Sequence, residues 1–466
     1  MEDKKLYYGE MLRLPKGYIN YIKSDLEVDN PEYLQLLKMG YSTKDKKAKL
    51  KFYVEHKDYI EVPRMYRNIA IPIDEQLKDF TVWNNPKAHL EFSSGMSLWD
   101  NQRDALDIII DSNGNKVIEM PTGSGKTVAG IAAICYFKRR TLVIAPTVFL
   151  ADQWKAAAEI FCNAKVGRLY SKKMEIGDQY DIVVTIPQNI QPVHEKRFKQ
   201  LEAADFFNGF DVVIVDEAHR FSAITFNGCI SKFPSKVRLG FTATAFRNDN
   251  LGFVFNMAIG EAVSIDVEQK IKPKIWECYT TWTDRAHGFS NNKRKNKNIP
   301  MLITRMTQDK YRNMQLYHCL LTMAKNDRRV LFLTGRVDHA KKMLKYLKAK
   351  YPKKEYCLLI GSSSEEERAK SKTADFIFGS YQIAQEGIDI PLLDTIIYGT
   401  PISNEIGIIQ SIGRLTREKE GKKGADVYDF IDDTDTLKGM FYKRRRTYSK
   451  MGLEYSRINM KKLGWR

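Results

Sequence analysis

The chain has 466 residues, of which 43% are hydrophobic and 28% are charged, so it is long enough for two or three packed domains. Its net charge of +18 favours a polyanionic partner such as nucleic acid, and a generally basic surface without a specific partner is the alternative. Six scattered cysteines with no C-x-x-C pair exclude a disulfide scaffold and a zinc site of that spacing, and indicate a reduced, cytoplasmic protein. The N-terminus is charged, so no signal peptide is expected, and no apolar run is long enough for a membrane span to be expected.

The first part of the chain, residues 1–95, is rich in Tyr, Lys and Leu and contains no recognisable motif. Runs with strand character, Lys51–Val54 and Tyr59–Val62, alternate there with turn signals. We therefore predict that residues 1–95 form a small α+β accessory domain, for which DNA binding is expected.

From about residue 98 onward, short apolar runs alternate with helical stretches, which is the pattern of a parallel sheet covered on both faces. Residues 96–265 contain a first series of predicted strands, at 116–118, 142–144, 182–184 and 212–215. Residues 266–445 contain a second series, at 330–333, 356–359, 376–378 and 395–398. The predicted fold class is therefore α/β, with two parallel-sheet lobes in tandem after the α+β domain, and residues 446–466 are predicted to be a C-terminal tail.

A glycine-rich segment, Met120–Thr127, follows the first predicted strand and precedes a helix, which is the context of a phosphate-binding loop. Backbone N–H groups and the positive end of the helix dipole face the phosphates in such a loop. Lys126 is expected to reach the β- and γ-phosphates of ATP, and the Thr127 hydroxyl is expected to ligate Mg²⁺. The other predicted ATP contacts in this segment are Pro121, Thr122, Gly123, Ser124 and Gly125.

Two adjacent carboxylates, Asp216 and Glu217, end the apolar strand Val212–Val215, and the carboxyl ends of parallel strands are where such sheets bind ligands. Asp216 is expected to hold the Mg²⁺ ion through its water shell, and Glu217 is expected to orient the attacking water. Upstream of the glycine loop, Gln102 has an amide that can pair with N6 and N7 of adenine. The alternative for Gln102 is a solvated residue on a helix.

Residues 98 to about 430 resemble superfamily 2 helicases, because several short motifs occur in the order found in that family. These motifs are Met120–Thr127, Ala145–Thr147, Gln153-Trp154, Thr185–Gln188, the DEAH box Asp216–His219, Gly240–Thr244, Gln385–Pro391 and Gln410–Arg417. The resemblance implies two RecA-like lobes and an ATPase that nucleic acid stimulates. One residue departs from the family pattern, because Ala245 stands where many members have Pro. The DEAH box is shared by several families, so it does not distinguish DNA helicases from RNA helicases.

The resemblance also assigns roles in ATP hydrolysis to the second lobe. Arg414 and Arg417 would act on the γ-phosphate as arginine fingers, and their spacing after a glycine predicts that they share one helix face. Thr242 and Thr244 would couple the nucleotide site to the nucleic-acid track. The remaining second-lobe residues expected to face the nucleotide are Gly387, Asp389 and Gln410.

Three residues are implied to bind nucleic-acid phosphates: Thr147 and Thr185 in the first lobe, and Arg336 in the second. A helix cap or turn is the alternative for each threonine. Thr283–Pro300 is predicted to be a loop, because its cations lie among polar residues. This loop is either a solvated connection or an arm that contacts a second DNA segment through Lys293, Arg294, Lys295 and Lys297.

The strings Pro146–Trp154 and Leu239–Asp249 look like those of the branch-migrating recombination helicases of tailed phages, the UvsW type, and of related repair and transcription translocases. This likeness implies an ATP- and Mg²⁺-dependent DNA helicase that acts on forks, Holliday junctions or displacement loops, in the cytoplasm of a bacterial host if the gene belongs to a phage. No feature requires an oligomer, so a monomer is expected. The alternatives are an RNA helicase or remodeller and a duplex-DNA translocase that does not unwind.

Overall fold

The computed structural model describes residues 6–8, 11–66, 77–79, 83, 85–86, 88–191, 194–221, 223–243, 251–267, 271–280, 282–283, 298–381, 390, 392–416 and 421–459. They belong to two compact units, Met1–Val267 and Glu268–Arg466. Within the described ranges, no helix combines the length and the apolar character needed to span a lipid bilayer.

The beginning of the first unit is a small α+β fold, as predicted. Its elements are β1 (Leu6–Tyr8), β2 (Met11–Pro15), α1 (Ile19–Leu26), β3 (Glu27–Asp29), α2 (Pro31–Met39), β4 (Lys49–Lys51), β5 (Val54–Glu55), β6 (Tyr59–Pro63) and β7 (Leu77–Asp79). One sheet has the order β5-β6-β2-β1-β7 and the other is the antiparallel pair β3-β4. The run Lys51–Val54 was predicted as one strand, but Lys51 ends β4 whereas Val54 begins β5 in the other sheet.

This N-terminal fold packs against the rest of the first unit through a shared core. The buried Arg64 side chain donates to the Ser235 carbonyl at 2.5 Å and to Asn115 Oδ1 at 2.6 Å. The ring of Phe52 also meets the ring of Phe253 edge to face, with centroids 6.0 Å apart. Because a buried guanidinium is costly unless it is hydrogen-bonded, these contacts fix the N-terminal fold to the sheet that follows.

The remainder of the first unit is a parallel sheet with helices. Its elements are α3 (Asp100–Asp111), β8 (Lys116–Glu119), α4 (Lys126–Phe137), β9 (Thr141–Ile144), α5 (Val148–Phe161), β10 (Val166–Leu169), β11 (Ile182–Thr185), α6 (Glu195–Ala203), β12 (Val212–Asp216), α7 (Ala223–Ile230), β13 (Val237–Thr242), α8 (Phe253–Ala258) and β14 (Ala262–Ser264). The seven strands have the order β10-β11-β9-β12-β13-β8-β14 and all pairs are parallel. Every residue of β12 is buried, as expected for a central strand covered on both faces.

The second unit is another parallel sheet with helices. Its elements are β15 (Lys274–Tyr279), α9 (Ile299–Gln308), α10 (Lys310–Lys325), β16 (Val330–Thr334), α11 (Val337–Lys350), β17 (Tyr356–Leu359), α12 (Glu365–Lys370), β18 (Phe376–Ser380), β19 (Thr395–Tyr398), α13 (Glu405–Ile412), β20 (Asp426–Ile431), α14 (Asp435–Lys450) and β21 (Tyr455–Asn459). The order is β17-β18-β16-β19-β20-β15-β21, again with parallel pairs throughout. The predicted tandem of two RecA-like sheets is therefore confirmed.

The prediction of a C-terminal tail from residue 446 is wrong for the residues that the structure describes. α14 continues to Lys450, and β21 pairs with β15 as the edge strand of the second sheet. Leu453 is 5% exposed and helps to join the helix to the strand. The strand was not predicted because Tyr455–Asn459 is a short run that mixes polar and apolar residues, and such a run gives only a weak strand signal.

Candidate active site

The glycine-rich loop lies between β8 and α4, where the sequence predicted it. Gly123 and Gly125 have φ values of +89° and +83°, a left-handed conformation that glycine adopts without strain. α4 begins at Lys126, with Gly125 at its N-cap, so the positive end of the helix dipole lies at the loop. The Asn101 side chain donates to the Ser124 carbonyl at 2.8 Å and holds the loop against α3.

The side chains of the loop are partly engaged with the loop itself. The Ser124 hydroxyl donates to the Pro121 carbonyl at 2.7 Å. The Thr122 hydroxyl is buried and makes no hydrogen bond within the described part of the chain, so it has donor capacity to offer a ligand. Thr127 is half-buried in the first turn of α4, one residue after Lys126.

Lys126 connects the loop to the acidic pair. Its Nζ lies 3.2 Å from Glu217 Oε1 and also donates to the Met120 carbonyl at 3.3 Å. The side chains of Lys126 and Glu217 are only 9% and 13% exposed. Their charge interaction is therefore screened less by water than that of a surface ion pair.

Asp216 is held in place from two directions at the end of β12. Its Oδ2 accepts a hydrogen bond from Trp154 Nε1 at 2.8 Å, and its Oδ1 accepts one from the Glu217 backbone N–H at 2.9 Å. Glu217 has a φ of +46°, which a residue with a side chain adopts at some cost. This backbone turn brings the Glu217 carboxylate toward Lys126.

The two carboxyl groups differ in their protonation equilibria. Burial raises the pKa of Asp216 to about 6, and the neighbouring charge of Glu217 adds to this effect. Burial also acts to raise the pKa of Glu217, but Lys126 and His219 outweigh it and hold that pKa below its ordinary value. The cations that the protein supplies thus keep Glu217 ionised more strongly than Asp216.

A magnesium ion fits this residue set. Mg²⁺ prefers oxygen ligands and usually binds to one or two carboxylates together with substrate phosphates. Asp216 and Thr127 offer such oxygens, and burial raises the pKa of Asp216 although Lys126 acts in the opposite direction, so a bound cation would favour the ionised carboxylate. The predicted role of Asp216 and Thr127 in holding Mg²⁺ is therefore chemically consistent with their surroundings.

A histidine connects the acidic pair to the neighbouring strand. His219 Nδ1 lies 2.7 Å from Thr242 Oγ1 and 3.3 Å from Glu217 Oε2. Thr242 ends β13 and is 2% exposed, so its hydroxyl faces the protein interior. This contact gives the predicted coupling role of Thr242 a physical route, from the DEAH box to the motif that follows β13.

The two glutamines predicted to bind the nucleotide are both buried. Gln102 Oε1 accepts a hydrogen bond from the Trp99 backbone N–H at 2.9 Å, and Gln102 Nε2 lies 3.5 Å from the Gly125 carbonyl. The solvated alternative for Gln102 is wrong, since the residue is 2% exposed and packs on the glycine loop. Gln410 lies on α13 and is 4% exposed. Contact of either amide with a nucleotide remains a prediction.

The residues predicted to bind nucleic-acid phosphates have different surroundings. The Thr147 hydroxyl caps α5 by accepting a hydrogen bond from Leu150 N at 3.3 Å. Thr185 is fully buried and its hydroxyl donates to the Leu169 carbonyl at 3.0 Å, so this structure does not support a phosphate contact there. Arg336 is half-buried and donates to Thr304 Oγ1 at 3.0 Å through its Nε.

Arg414 does not lie on a helix, which corrects the predicted geometry. α13 ends at Ile412 with Gly413 at its C-cap, because glycine is a poor helix former. The next residues form a turn in which Leu415 N donates to the Ile412 carbonyl at 2.8 Å. Arg414 is 2% exposed in that turn and therefore lies outside α13.

Some predicted residues lie outside the part of the chain that the structure describes. They are Thr244, Lys293, Arg294, Lys295, Lys297, Gly387, Asp389 and Arg417.

Two residues of the site, Trp154 and His219, were not predicted to have roles. Both stood within motifs of the sequence, Gln153-Trp154 and the DEAH box, but nothing in the sequence showed that Trp154 contacts Asp216 or that His219 contacts Thr242. The positions of α5 and β13 beside β12 create these contacts, and they depend on the strand order of the sheet.

The tandem parallel sheets, with a glycine loop and an acidic pair on the first of them, define the class of RecA-like helicases. Two family models match the chain in that order and together cover more than half of it. The model "Type III restriction enzyme, res subunit" matches residues 95–247, and "Helicase conserved C-terminal domain" matches residues 312–419. The chain therefore belongs to the superfamily 2 helicases, which are ATP-dependent enzymes acting on nucleic acid.

Relatives with named functions come from viruses and eukaryotes. A putative ATP-dependent RNA helicase of Acanthamoeba polyphaga mimivirus is 26% identical over 409 residues, covering 85% of this chain and 76% of that protein. A probable helicase of Escherichia phage T5 is 26% identical over 345 residues, covering 71% and 70%. The transcription and DNA repair factor IIH helicase/translocase subunit XPB of Schizosaccharomyces pombe is 22% identical over 428 residues, covering 85% of this chain but 51% of XPB.

Among solved structures, Saccharomyces cerevisiae Dbp5 bound to RNA and ADP BeF3 matches with a TM-score of 0.54 and 16% identity. The match covers 78% of this chain and 90% of the Dbp5 chain. At this identity the likeness concerns the fold alone.

Proposed function

We propose that this chain is an ATP-dependent DNA helicase or translocase that acts on branched DNA, such as forks, Holliday junctions and displacement loops, in recombination, repair or replication. The observation that carries the ATPase part is the buried cluster of Lys126, Asp216 and Glu217 beside the glycine loop. The DNA part is supported by two relatives, a phage helicase and a subunit of a DNA repair factor, and by the UvsW-type strings Pro146–Trp154 and Leu239–Asp249.

The Lys126–Glu217 ion pair suggests how ATP binding prepares hydrolysis. Phosphates that enter the loop would attract the Lys126 ammonium away from Glu217. Glu217 would then be free to accept a hydrogen bond from the attacking water and to orient it. In the same step, Asp216 and Thr127 would hold Mg²⁺, which supplies positive charge to the β- and γ-phosphates.

The hydrogen bond between His219 and Thr242 supports a route by which hydrolysis affects nucleic-acid binding. His219 contacts both Glu217 and Thr242. A movement of Glu217 would therefore change the surroundings of His219 and, through it, the hydrogen bond to Thr242. Thr242 ends the strand that leads into the Gly240–Thr244 motif. We propose that this histidine transmits the state of the nucleotide to that motif.

Two alternatives remain, each with an observation in its favour. The mimivirus relative matches over 409 residues and is named a putative RNA helicase, which favours an RNA helicase or remodeller. XPB is named a helicase/translocase subunit, and the translocase half of that name is the observation behind the second alternative, a motor that moves on duplex DNA without unwinding it.

The test is to compare ATP hydrolysis with no nucleic acid and with single-stranded, duplex, forked and four-way DNA and RNA, using the Lys126→Ala protein as the background control. We expect forked and four-way DNA to stimulate hydrolysis most. Stimulation mainly by RNA would support the first alternative. Displacement of the third strand of a triplex without displacement of a strand from a fork would support the second.

A further inference from the structure

A cluster of arginines and tyrosines lies on the second unit, outside the helicase motifs. We call Tyr279, Arg445, Tyr455 and Arg457 the arginine–tyrosine patch. Tyr279 ends β15, Arg445 lies on α14, and Tyr455 and Arg457 lie on the edge strand β21. In the parallel register Glu277 stands opposite Arg457, and Ile275 stands opposite Tyr455.

The patch is organised around one buried carboxylate. Glu277 has no exposed side-chain surface, and its two oxygens each lie 3.4 Å from a guanidinium nitrogen, one of Arg445 and one of Arg457. The Tyr279 hydroxyl also donates to Glu277 Oε2 at 3.2 Å. One buried anion therefore attracts two cations to the same place, which lowers the cost of bringing them together on a ligand.

The two guanidiniums lie over aromatic rings that are partly open to solvent. The Arg445 Cζ is 4.4 Å from the centroid of the Tyr455 ring, and the Arg457 Cζ is 5.6 Å from that of Tyr279. Tyr455 is 42% exposed and Tyr279 is 37% exposed, so each ring retains free surface for stacking. The Arg457 side chain is 68% exposed and can reach an anion in solution.

The patch extends along α14. Tyr442 is 54% exposed and precedes Arg445 and the exposed Arg446 by three and four residues, so the three side chains are neighbours on the helix surface. Arg445 and Arg457 together exceed the charge of Glu277 by one, and Arg446 adds a further positive charge.

We infer that the arginine–tyrosine patch binds single-stranded nucleic acid, as a contact separate from the helicase motifs; this inference rests on the proposed nucleic-acid motor function. Single strands bind to grooves in which aromatic rings stack on bases while cations contact phosphates. The five residues of β21, Tyr455–Asn459, span about 13 Å, which is four steps at the rise of a β-strand. That length accommodates about four nucleotides at a 3.4 Å stacking distance.

The test compares two double variants of the second unit, one in the patch and one on α11. Tyr455→Ala with Arg457→Gln removes one ring and one charge from the patch. The matched control is Tyr346→Ala with Lys342→Gln on α11, where Lys342 Nζ lies 5.8 Å from the centroid of the 44% exposed Tyr346 ring. Binding of fluorescein-labelled oligothymidylate is measured over a salt series, together with ATP hydrolysis without nucleic acid and thermal melting.

We expect the patch variant to bind the strand about 10- to 100-fold more weakly, with a log–log salt slope smaller by about 0.7, because a stacking contact and a phosphate contact are lost. The control variant, and Tyr455→Phe with Arg457 retained, should bind within about twofold of wild type. Basal hydrolysis per folded molecule should not change in any of them, and the patch variant should melt slightly lower because Glu277 loses one of its two arginine partners. Equal affinity and slope in the patch variant, or an equal loss in the control, would overturn the inference.

A second measurement does not depend on the stability of a variant. Wild-type protein is cross-linked by light to a single strand containing 5-iodouracil, and the cross-linked peptides are mapped. Cross-links at Tyr279 or Tyr455 are expected, and a map without either contradicts the inference. If no nucleic acid binds or stimulates wild-type hydrolysis, the proposed function fails as well, whereas normal stimulation with an unaffected patch variant rejects the patch alone.

Discussion

The two parallel sheets have matching strand orders but carry different residues at equivalent strand ends. Counted across each sheet in spatial order, β8 is the sixth strand of the first sheet and β15 is the sixth strand of the second. β8 leads into the glycine loop, whereas β15 leads into Thr280 and Trp282. The fourth strand of the first sheet, β12, ends in Asp216, and its counterpart β19 ends in Tyr398, whose hydroxyl lies 2.7 Å from Ser411 Oγ.

Buried carboxylates occur in both sheets, and their partners differ. In the second unit, Asp429 makes two hydrogen bonds with Arg444, at 2.8 and 2.9 Å, and accepts a third from the Tyr448 hydroxyl. Asp432 is likewise bound by two nitrogens of Arg312, at 2.7 and 3.0 Å. Each of these acids has its own guanidinium in a bidentate geometry, which is the strongest form of such a pair.

Among the described residues, the acidic pair of the first unit is held by donors other than a bidentate guanidinium. Asp216 accepts hydrogen bonds from an indole and a backbone N–H, and Glu217 lies beside the Lys126 ammonium and the His219 ring. The comparison teaches that one fold uses buried acids in two ways. In the second unit, acids paired with arginines stabilise the fold. In the first unit, the charge of the acidic pair is offset less completely, so the site can accept a cation together with a phosphate. Substitutions in the two sets should therefore have different consequences.

The largest effect is expected for Lys126→Ala. It should lower ATP turnover by about 10⁴-fold, because the γ-phosphate loses its nearest cation. Lys126 is buried against Glu217, so the variant also leaves that carboxylate without its ammonium partner, and a small decrease in melting temperature is expected. Steady-state hydrolysis and thermal melting check both. Lys155→Ala on α5 serves as a control, and normal turnover in the Lys126 variant would refute the phosphate-loop assignment.

Glu217→Gln should lower turnover by about 10³-fold while ATP still binds. The amide keeps the shape of the side chain but cannot accept a proton from water. The charge of the Lys126 ammonium is no longer offset, so we expect nucleotide affinity to be retained or increased. Binding of a fluorescent ATP analogue and single-turnover hydrolysis separate the two effects. Wild-type hydrolysis in this variant would exclude Glu217 as the residue that orients water.

Much of the first sheet was predictable because its strands are continuous apolar runs, as in Val212–Val215. Three strands at or near sheet edges were not predicted: Gly167 and Arg168 interrupt the apolar run of β10, β14 has three residues, and β21 mixes polar and apolar residues. The edge strand β17 was predicted. The buried Glu277 likewise hid β15, because a charged residue in a strand pattern argues against burial until its two arginine partners are known. The glycine loop and the acidic pair were predicted from local motifs, whereas the contact of Trp154 with Asp216 could be seen only in the tertiary fold.

Arg444→Ala tests the structural use of the second set of acids. It should destabilise the second unit by about 3 kcal/mol, the low end for a broken buried ion pair, because the Tyr448 hydroxyl still donates to Asp429. Residual ATP hydrolysis per folded molecule should remain close to wild type. Hydrogen exchange of β20 measures the loss of stability. Combining Arg444→Met with Asp429→Asn should recover part of it, and an unchanged exchange rate in the single variant would contradict the structural role.

The smallest effect is expected at a buried histidine of the second unit, His339, which can be compared with the buried His219 of the first. His219 contacts Thr242 and a carboxylate, whereas His339 Nδ1 lies 2.9 Å from Thr334 Oγ1 and its Nε2 lies 2.9 Å from the amide oxygen of Asn313. Burial lowers the pKa of His339 to about 3, and the charges of Arg312 and Lys342 add to this effect. His339 is therefore neutral in the folded chain at every pH from 7 down to about 4.

The unfolded chain binds a proton at His339 below about pH 6.5, and the folded chain does not, so stability should fall as the pH decreases through that value. At pH 5 the loss is about 2 kcal/mol, from 1.5 pH units at about 1.36 kcal/mol each. Hydrogen exchange of Val330–Thr334 at pH 7 and pH 5, corrected for the intrinsic rate, measures it. His339→Gln should be less stable at pH 7 but should lose about 2 kcal/mol less than wild type between the two pH values. If both proteins lose the same amount, His339 is not the group that confers this pH dependence, and another buried group of the second unit must be sought.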